Sequence, residues 1–126
     1  DKPAIDAAEA FVGAGYPTEA GALLIAELDG AVGDVAETSA LVANIAQRCG
    51  ATSVRASLNE DERRKFWAGR KAAFPAVGRI APDYYCMDGT IPRREIARVL
   101  SEIEALSQRY GLKVANVFHA GDGNLH

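Results

Sequence analysis

The chain has two histidines, His119 and His126, and both lie in its closing stretch "NVFHAGDGNLH". Neutral imidazole is the commonest protein ligand for zinc and similar divalent cations. Seven residues apart on one helix, two imidazoles would share a face, but Gly121 and Gly123 exclude a helix here. The spacing instead predicts a strand ending at His119, a glycine turn, and a return that carries His126 back beside it. Glycine suits that turn because it accepts positive φ and lets a ligand approach the backbone. Asp122 and Asn124 are turn formers with polar ends that could orient a ligand or a histidine. A plain hairpin with incidental histidines satisfies the same pattern. Two ligands also fall short of a complete site, and the carboxylates Asp122 and Asp88 are the candidates at hand to complete it.

A second chemical signal lies in "NEDERRKFWAGRKAAF". At about 100° per residue, Phe66, Trp67, Arg70 and Phe74 share one helical face, with Arg63 close to it. Arg70 thus points where the only tryptophan points. Its planar fork matches a carboxylate or phosphate, and a structural salt bridge or stacking on Trp67 would serve it equally. Arg64, Lys65 and Lys71, with Glu60, Asp61 and Glu62, read as a solvated charged surface. Tyr84 and Tyr85 read as core and rim residues of a strand.

These residues are positioned by an alternation of periods. A helix from Ala4 is stopped by Gly13 and Gly15. "ALLIAELDG" (22–30) reads as an interior strand. Val35, Thr38, Leu41, Val42, Ile45 and Cys49 fall at helical spacing, with Asp34 and Glu37 as a capping box, Gly50 as the stop, and Cys49 facing the core. "ATSVRAS" (51–57) is a short strand. Asn59 with Glu62 opens a helix that Pro75 closes. "DYYCMDG" (83–89) is a third strand. Pro92 and Gly111 bracket an amphipathic helix with Ile96, Val99, Leu100, Ile103, Leu106 and Tyr110 on one face. "LKVANVFH" (112–119) is the fourth strand. This order predicts an α+β fold: a ferredoxin-like split βαβ sandwich, with an antiparallel sheet, helices on one face and an extra helix in the middle connection.

The 126 residues suffice for a single domain, 1–126, with 48% hydrophobic and 25% charged residues. A net charge of −3 gives no reason to expect nucleic acid as partner. No apolar run approaches the roughly 20 residues that span a bilayer. Two cysteines outside any metal spacing fit a reducing, cytoplasmic setting. The chain opens without methionine and stops on its second histidine, which points to a piece of a longer polypeptide whose uncovered surfaces favour self-association into a homo-oligomer.

Taken together, "FWAGRKAAFPAVGRIAPDYYCMDGTIPR" and "NVFHAGDGNLH" resemble the glycolate oxidase branch of the FAD-linked oxidases, vanillyl-alcohol-oxidase-like flavoproteins that include D-lactate and D-2-hydroxyglutarate dehydrogenases. The likeness covers the whole chain and implies part of the family's C-terminal substrate-binding domain. It implies that His119 and His126 are catalytic imidazoles ligating a divalent metal such as Zn, Mn or Fe, with a third ligand, a glutamate, outside these residues. It further implies that Asn124 contacts substrate and that Arg70 grips the substrate carboxylate. Phe74 stands where relatives acting on 2-hydroxyglutarate carry a threonine, and those relatives carry a lysine near Cys86, departures that favour a small acid such as glycolate. Asp88 and Pro92 match the family pattern as structural residues. FAD would be bound mainly by a domain outside this chain, which carries no Gly-rich FAD motif and so no cofactor-binding residue of its own. The implied enzyme oxidises a small D-2-hydroxy acid by hydride transfer to flavin, works with other subunits of a glycolate oxidase complex, and sits peripherally at the inner membrane through them. The piece by itself would be inactive. The rival reading is a stand-alone ferredoxin-like module that binds a small anion or regulates; a metal-storage hairpin is a third.

Overall fold

The computed structural model describes residues 1–126. It contains four helices, α1 (Lys2–Val12), α2 (Val32–Arg48), α3 (Glu60–Val77) and α4 (Ile96–Tyr110), and two short strands, β1 (Gly89–Thr90) and β2 (Asn124–Leu125). A 3₁₀ turn, Arg93–Glu95, leads into α4. The α+β class expected from the sequence is present, with β1 and β2 forming an antiparallel pair.

The helices begin and end for local reasons. Asp1 caps α1 by accepting from the Ala4 N–H, and Gly13 closes it in the left-handed conformation. Asn59 caps α3 through the Glu62 N–H, 2.9 Å away, and Gly111 closes α4 at φ 64°. Two expectations at helix ends change. The Asp34–Glu37 capping box does not form: the N-cap of α2 is Ala31, three residues earlier, whose side chain makes no capping bond. Asp34 still lies in the first turn, where a carboxylate opposes the positive end of the helix dipole. Pro75 does not close α3, which runs through it to Val77. So near the C-terminus, proline removes only one late backbone bond.

The core is small. Nine residues are buried, centred on Ala4, Ala73 and Val117 with Phe74 and Ala115 against them. α1 packs on α3, and the residues the two helices bury are mostly small: Ala4, Ile5 and Ala8 on α1, Gly69, Ala73 and Ala76 on α3. The Tyr16 ring lies on Gly69, where any Cβ would collide with it, and the Tyr16 hydroxyl donates to the Phe66 carbonyl. The Asp1 carboxylate ties this pair to the segment before the histidines, accepting from the Asn116 backbone N–H (3.0 Å) and side-chain amide (2.7 Å).

The sheet is shorter than the four-stranded ladder expected. Segments 22–30 and 51–57 form no strand, the third strand is reduced to Gly89–Thr90, and 112–119 joins a ladder only at His119. Ladder bonds need a neighbouring strand at about 4.8 Å, and no backbone group of 22–30 or 52–57 reaches such a partner. Leu24, expected inside, is 77% exposed. Cys49, expected to face the core, is exposed, as are Tyr84 and Tyr85. The apolar stripes of α2 and α4 are real, yet neither helix buries a residue within this chain.

Candidate functional site

The site is built on a short ribbon around β2, which pairs with β1 in a two-stranded sheet and meets the His119 segment through a single bridge. On one side, Gly89 pairs with Leu125 and Thr90 with Asn124. On the other, His119 pairs with Asn124, and the Val117 N–H donates to the His126 carbonyl at 2.7 Å. Continued by one residue, the first register sets Asp88 opposite His126. The second sets His119 diagonal to it. Alternate residues of a strand share a face, so Asn124 and His126 rise together between Asp88 and Thr90 on one flank and His119 and Val117 on the other.

This answers the spacing. The turn 120–123 is closed by the Asp122 N–H donating to His119 O (3.1 Å) and the Gly123 N–H to Ala120 O (3.3 Å). Gly123 adopts φ +71°, and a Cβ there would collide with the Ile91 carbonyl. The glycine bend and return expected from "HAGDGNLH" are what the backbone does, while the strand expected before them is reduced to a bridge at His119.

The two imidazoles lie edge to face, their centroids 6.0 Å apart at 83°. His126 also leans on Phe74, with ring centres 5.2 Å apart. Arg70 arrives from α3, its Nη2 3.4 Å from His119 Nε2. Arg70 has no carboxylate partner among the ion pairs and does not stack on Trp67. Neither structural use foreseen for it is realised. On the far flank, Asp88 Oδ1 accepts from Asn124 Nδ2 at 2.8 Å and faces His126 Nδ1 at 3.4 Å. The amide of Asn124, and then His126, hold the Asp88 carboxyl below the usual carboxylate range. Asp122 gives its backbone N–H to the turn and lines the concavity beside Arg70 and His119.

Two concavities meet at Val117. One, about 320 Å³, is lined by Tyr16, Trp67, Arg70, His119 and Asp122. The other, about 300 Å³, is mostly apolar and is lined by Phe74, Tyr84, Tyr85, Cys86 and Asp88 with His126. Burial raises the Tyr16 phenol above its ordinary pKa, so it is a neutral hydroxyl in the first of these.

No three histidine, cysteine or acidic side chains gather anywhere as a metal cluster. The donor set present is the imidazole pair, with ring centroids 6.0 Å apart, His119 Nε2 facing Arg70 and His126 Nδ1 facing Asp88; imidazole nitrogen is a ligand type that divalent cations accept. Asp88 was read from the sequence as a possible completion of the histidine site and, from the resemblance, as structural. Its tie to His126 and Asn124 went unseen because the signal is a strand register, and its sequence trace is only the acidic residue before the Gly-Thr strand.

The ribbon, the arginine helix and the paired imidazoles belong to a recognised class: residues 1–126 match the family "FAD linked oxidases, C-terminal domain", and the chain is a member of it. Along its whole length it is 61% identical to glycolate oxidase subunit GlcD of Escherichia coli K12, and equally so to that of strain O6:H1. It is 32% identical to glycolate oxidase subunit GlcD of Bacillus subtilis. The chain spans about a quarter of the length of these relatives, 25% and 27%. No solved structure gives a significant match.

Proposed function

We propose that this chain is the part of a C-terminal substrate-binding domain that holds the acid group and the cation in an FAD-dependent oxidoreductase of small D-2-hydroxy acids, glycolate first among them. The observation that carries the reading is a guanidinium without a carboxylate partner, 3.4 Å from the first of two imidazoles whose centroids lie 6.0 Å apart. The identity to glycolate oxidase subunits across all 126 residues supports the substrate class. The small-anion module draws on Arg70 alone and leaves the histidine pair unexplained.

Within this reading, Arg70 leaves His119 to take the substrate carboxylate through paired N–H donors. His119 and His126 supply two of the cation's ligands, and a third comes from outside these residues. The side-chain oxygen of Asn124 remains free to accept from the substrate hydroxyl, because its amide nitrogen is engaged by Asp88. Phe74 and the apolar lining beside His126 exclude water and offer no partner for a second carboxylate. When bound, FAD supplies the acceptor for the α-hydrogen as hydride, and a divalent cation the Lewis acidity that eases loss of the hydroxyl proton. What these residues contribute is alignment.

The exposed stripes of α2 and α4 are surfaces for the rest of such a protein, for partner subunits of a glycolate oxidase complex, or for a second copy. No helix is long and apolar enough to cross a membrane; the placement proposed, from the likeness to glycolate oxidase subunits, is a cytoplasmic protein that reaches the inner membrane through its partners. In the whole flavoprotein, His119→Ala and His126→Ala should each abolish bound Zn²⁺ and glycolate-dependent flavin reduction. Full flavin reduction by a Zn²⁺-free double variant rejects the proposal.

A further inference from the structure

His126 is the better buried partner of its cross-strand pair, its side chain 13% exposed against 68% for Asp88. Phe74 covers one side of the ring, and Val117 and Leu125 join the apolar lining around it. The only side-chain acceptor facing either ring nitrogen is Asp88 Oδ1. The same oxygen takes the Asn124 amide. One exposed carboxylate oxygen therefore holds two of the four residues assigned to the site, both on or next to β2. Asp88 is itself fixed by the Gly89–Leu125 pairing that starts at the next residue.

We infer that Asp88 is the positioning residue of this site: it fixes His126 with its proton on Nδ1, so that the Nε2 lone pair is the one offered to a cation, and turns Asn124 so that its oxygen faces the substrate. The inference rests on the reading of His119 and His126 as cation ligands. Its physical basis is that an imidazole in an apolar setting takes its tautomer from the one partner it has. A carboxylate behind a ligating histidine also sets the ring plane and raises the basicity of the far nitrogen. Asp88 is not a third ligand in this arrangement, since it lies on the Nδ1 side of His126. Being mostly in water, it depends on register rather than burial for its place.

The test uses the whole flavoprotein loaded with FAD and Zn²⁺, comparing Asp88→Ala, Asp88→Asn and His126→Ala. Zn²⁺ affinity is measured by chelator competition, kcat and KM with glycolate, and folding by thermal melting. Asp88→Ala should weaken Zn²⁺ binding by about 10–100-fold and lower kcat more than it raises KM, with flavin content retained. Asp88→Asn keeps an acceptor oxygen without the charge and should fall between Asp88→Ala and wild type; it carries the test should Asp88→Ala fail to fold. Wild-type Zn²⁺ affinity and kcat in either variant, while His126→Ala loses Zn²⁺, overturns the inference and leaves the ligand reading standing. Equal and complete loss of Zn²⁺ in Asp88→Asn and Asp88→Ala, both folded, also overturns it, because that marks Asp88 as a ligand. Retention of Zn²⁺ by His126→Ala removes the ligand reading and this inference with it.

Discussion

Arg70 Nη2 stands 3.4 Å from His119 Nε2, across 49 residues of sequence. A guanidinium only donates, so the contact is a hydrogen bond when His119 presents its Nε2 lone pair to it. The contact joins α3 to the ribbon without a carboxylate between them. An arginine held by so weak an acceptor is available to a stronger one, and a substrate carboxylate is both charged and bidentate.

That exchange sets the expected effect of removing it. A hydrogen bond to a charged group contributes roughly 1.5–3 kcal/mol, so Arg70→Ala in the whole flavoprotein should raise the KM for glycolate about 10–150-fold. Arg70→Lys should recover little, since an ammonium cannot reproduce the planar fork. Steady-state kinetics decides the matter. An unchanged KM in Arg70→Ala would place the substrate carboxylate elsewhere.

Gly123 is where the histidine hairpin is most easily broken. Its carbonyl accepts from the Ile91 N–H at 2.9 Å, and its Cα has no room for a side chain beside the Ile91 carbonyl. Gly123→Ala combines left-handed strain with overpacking and should cost about 2 kcal/mol or more. It should also pull β2 away from β1, and with it Asn124 and His126 from Asp88. Gly121 has open space around it and no positive φ, so Gly121→Ala should stay within about 0.5 kcal/mol of wild type. Unfolding curves that coincide for the two variants would show that the turn does not depend on Gly123.

Helix positions were legible because their signals are local. Asn59, Gly13 and Gly111 sit where their backbone chemistry demands. The strands were not, because an apolar run becomes a strand only when another comes alongside. The run containing Leu24 finds none within this chain. For the site, residue types and the glycine bend exposed His119, Asn124 and His126, and helical phase exposed Arg70. Asp88 was named only as a possible carboxylate for the site; its contact with His126, 38 positions away, follows from strand pairing and was not legible. The same limit explains Cys49: periodicity shows that α2 has an apolar face, but not what covers it.

The first turn of α3, which delivers Arg70 and Phe74, carries an acid-sensitive brace. Glu60 receives two hydrogen bonds from the Arg63 guanidinium, at 2.8 and 2.7 Å, and Arg64 lies 3.4 Å from it. The Arg63 hydrogen bonds, with the positive charge of both arginines, bring its carboxyl down from 4.5 to about 2. A group whose pKa is lower when folded stabilises the fold above its unfolded value and loses that contribution as protons bind. The brace is therefore whole above pH 4.5 and is lost as the pH falls through about 2. Glu60→Gln lacks it at every pH, so the gap between wild type and variant should be constant above pH 4.5 and close below it. Denaturant midpoints followed by helical circular dichroism measure that gap. A difference that persists unchanged to pH 2 would mean that Glu60 acts through something other than its charge.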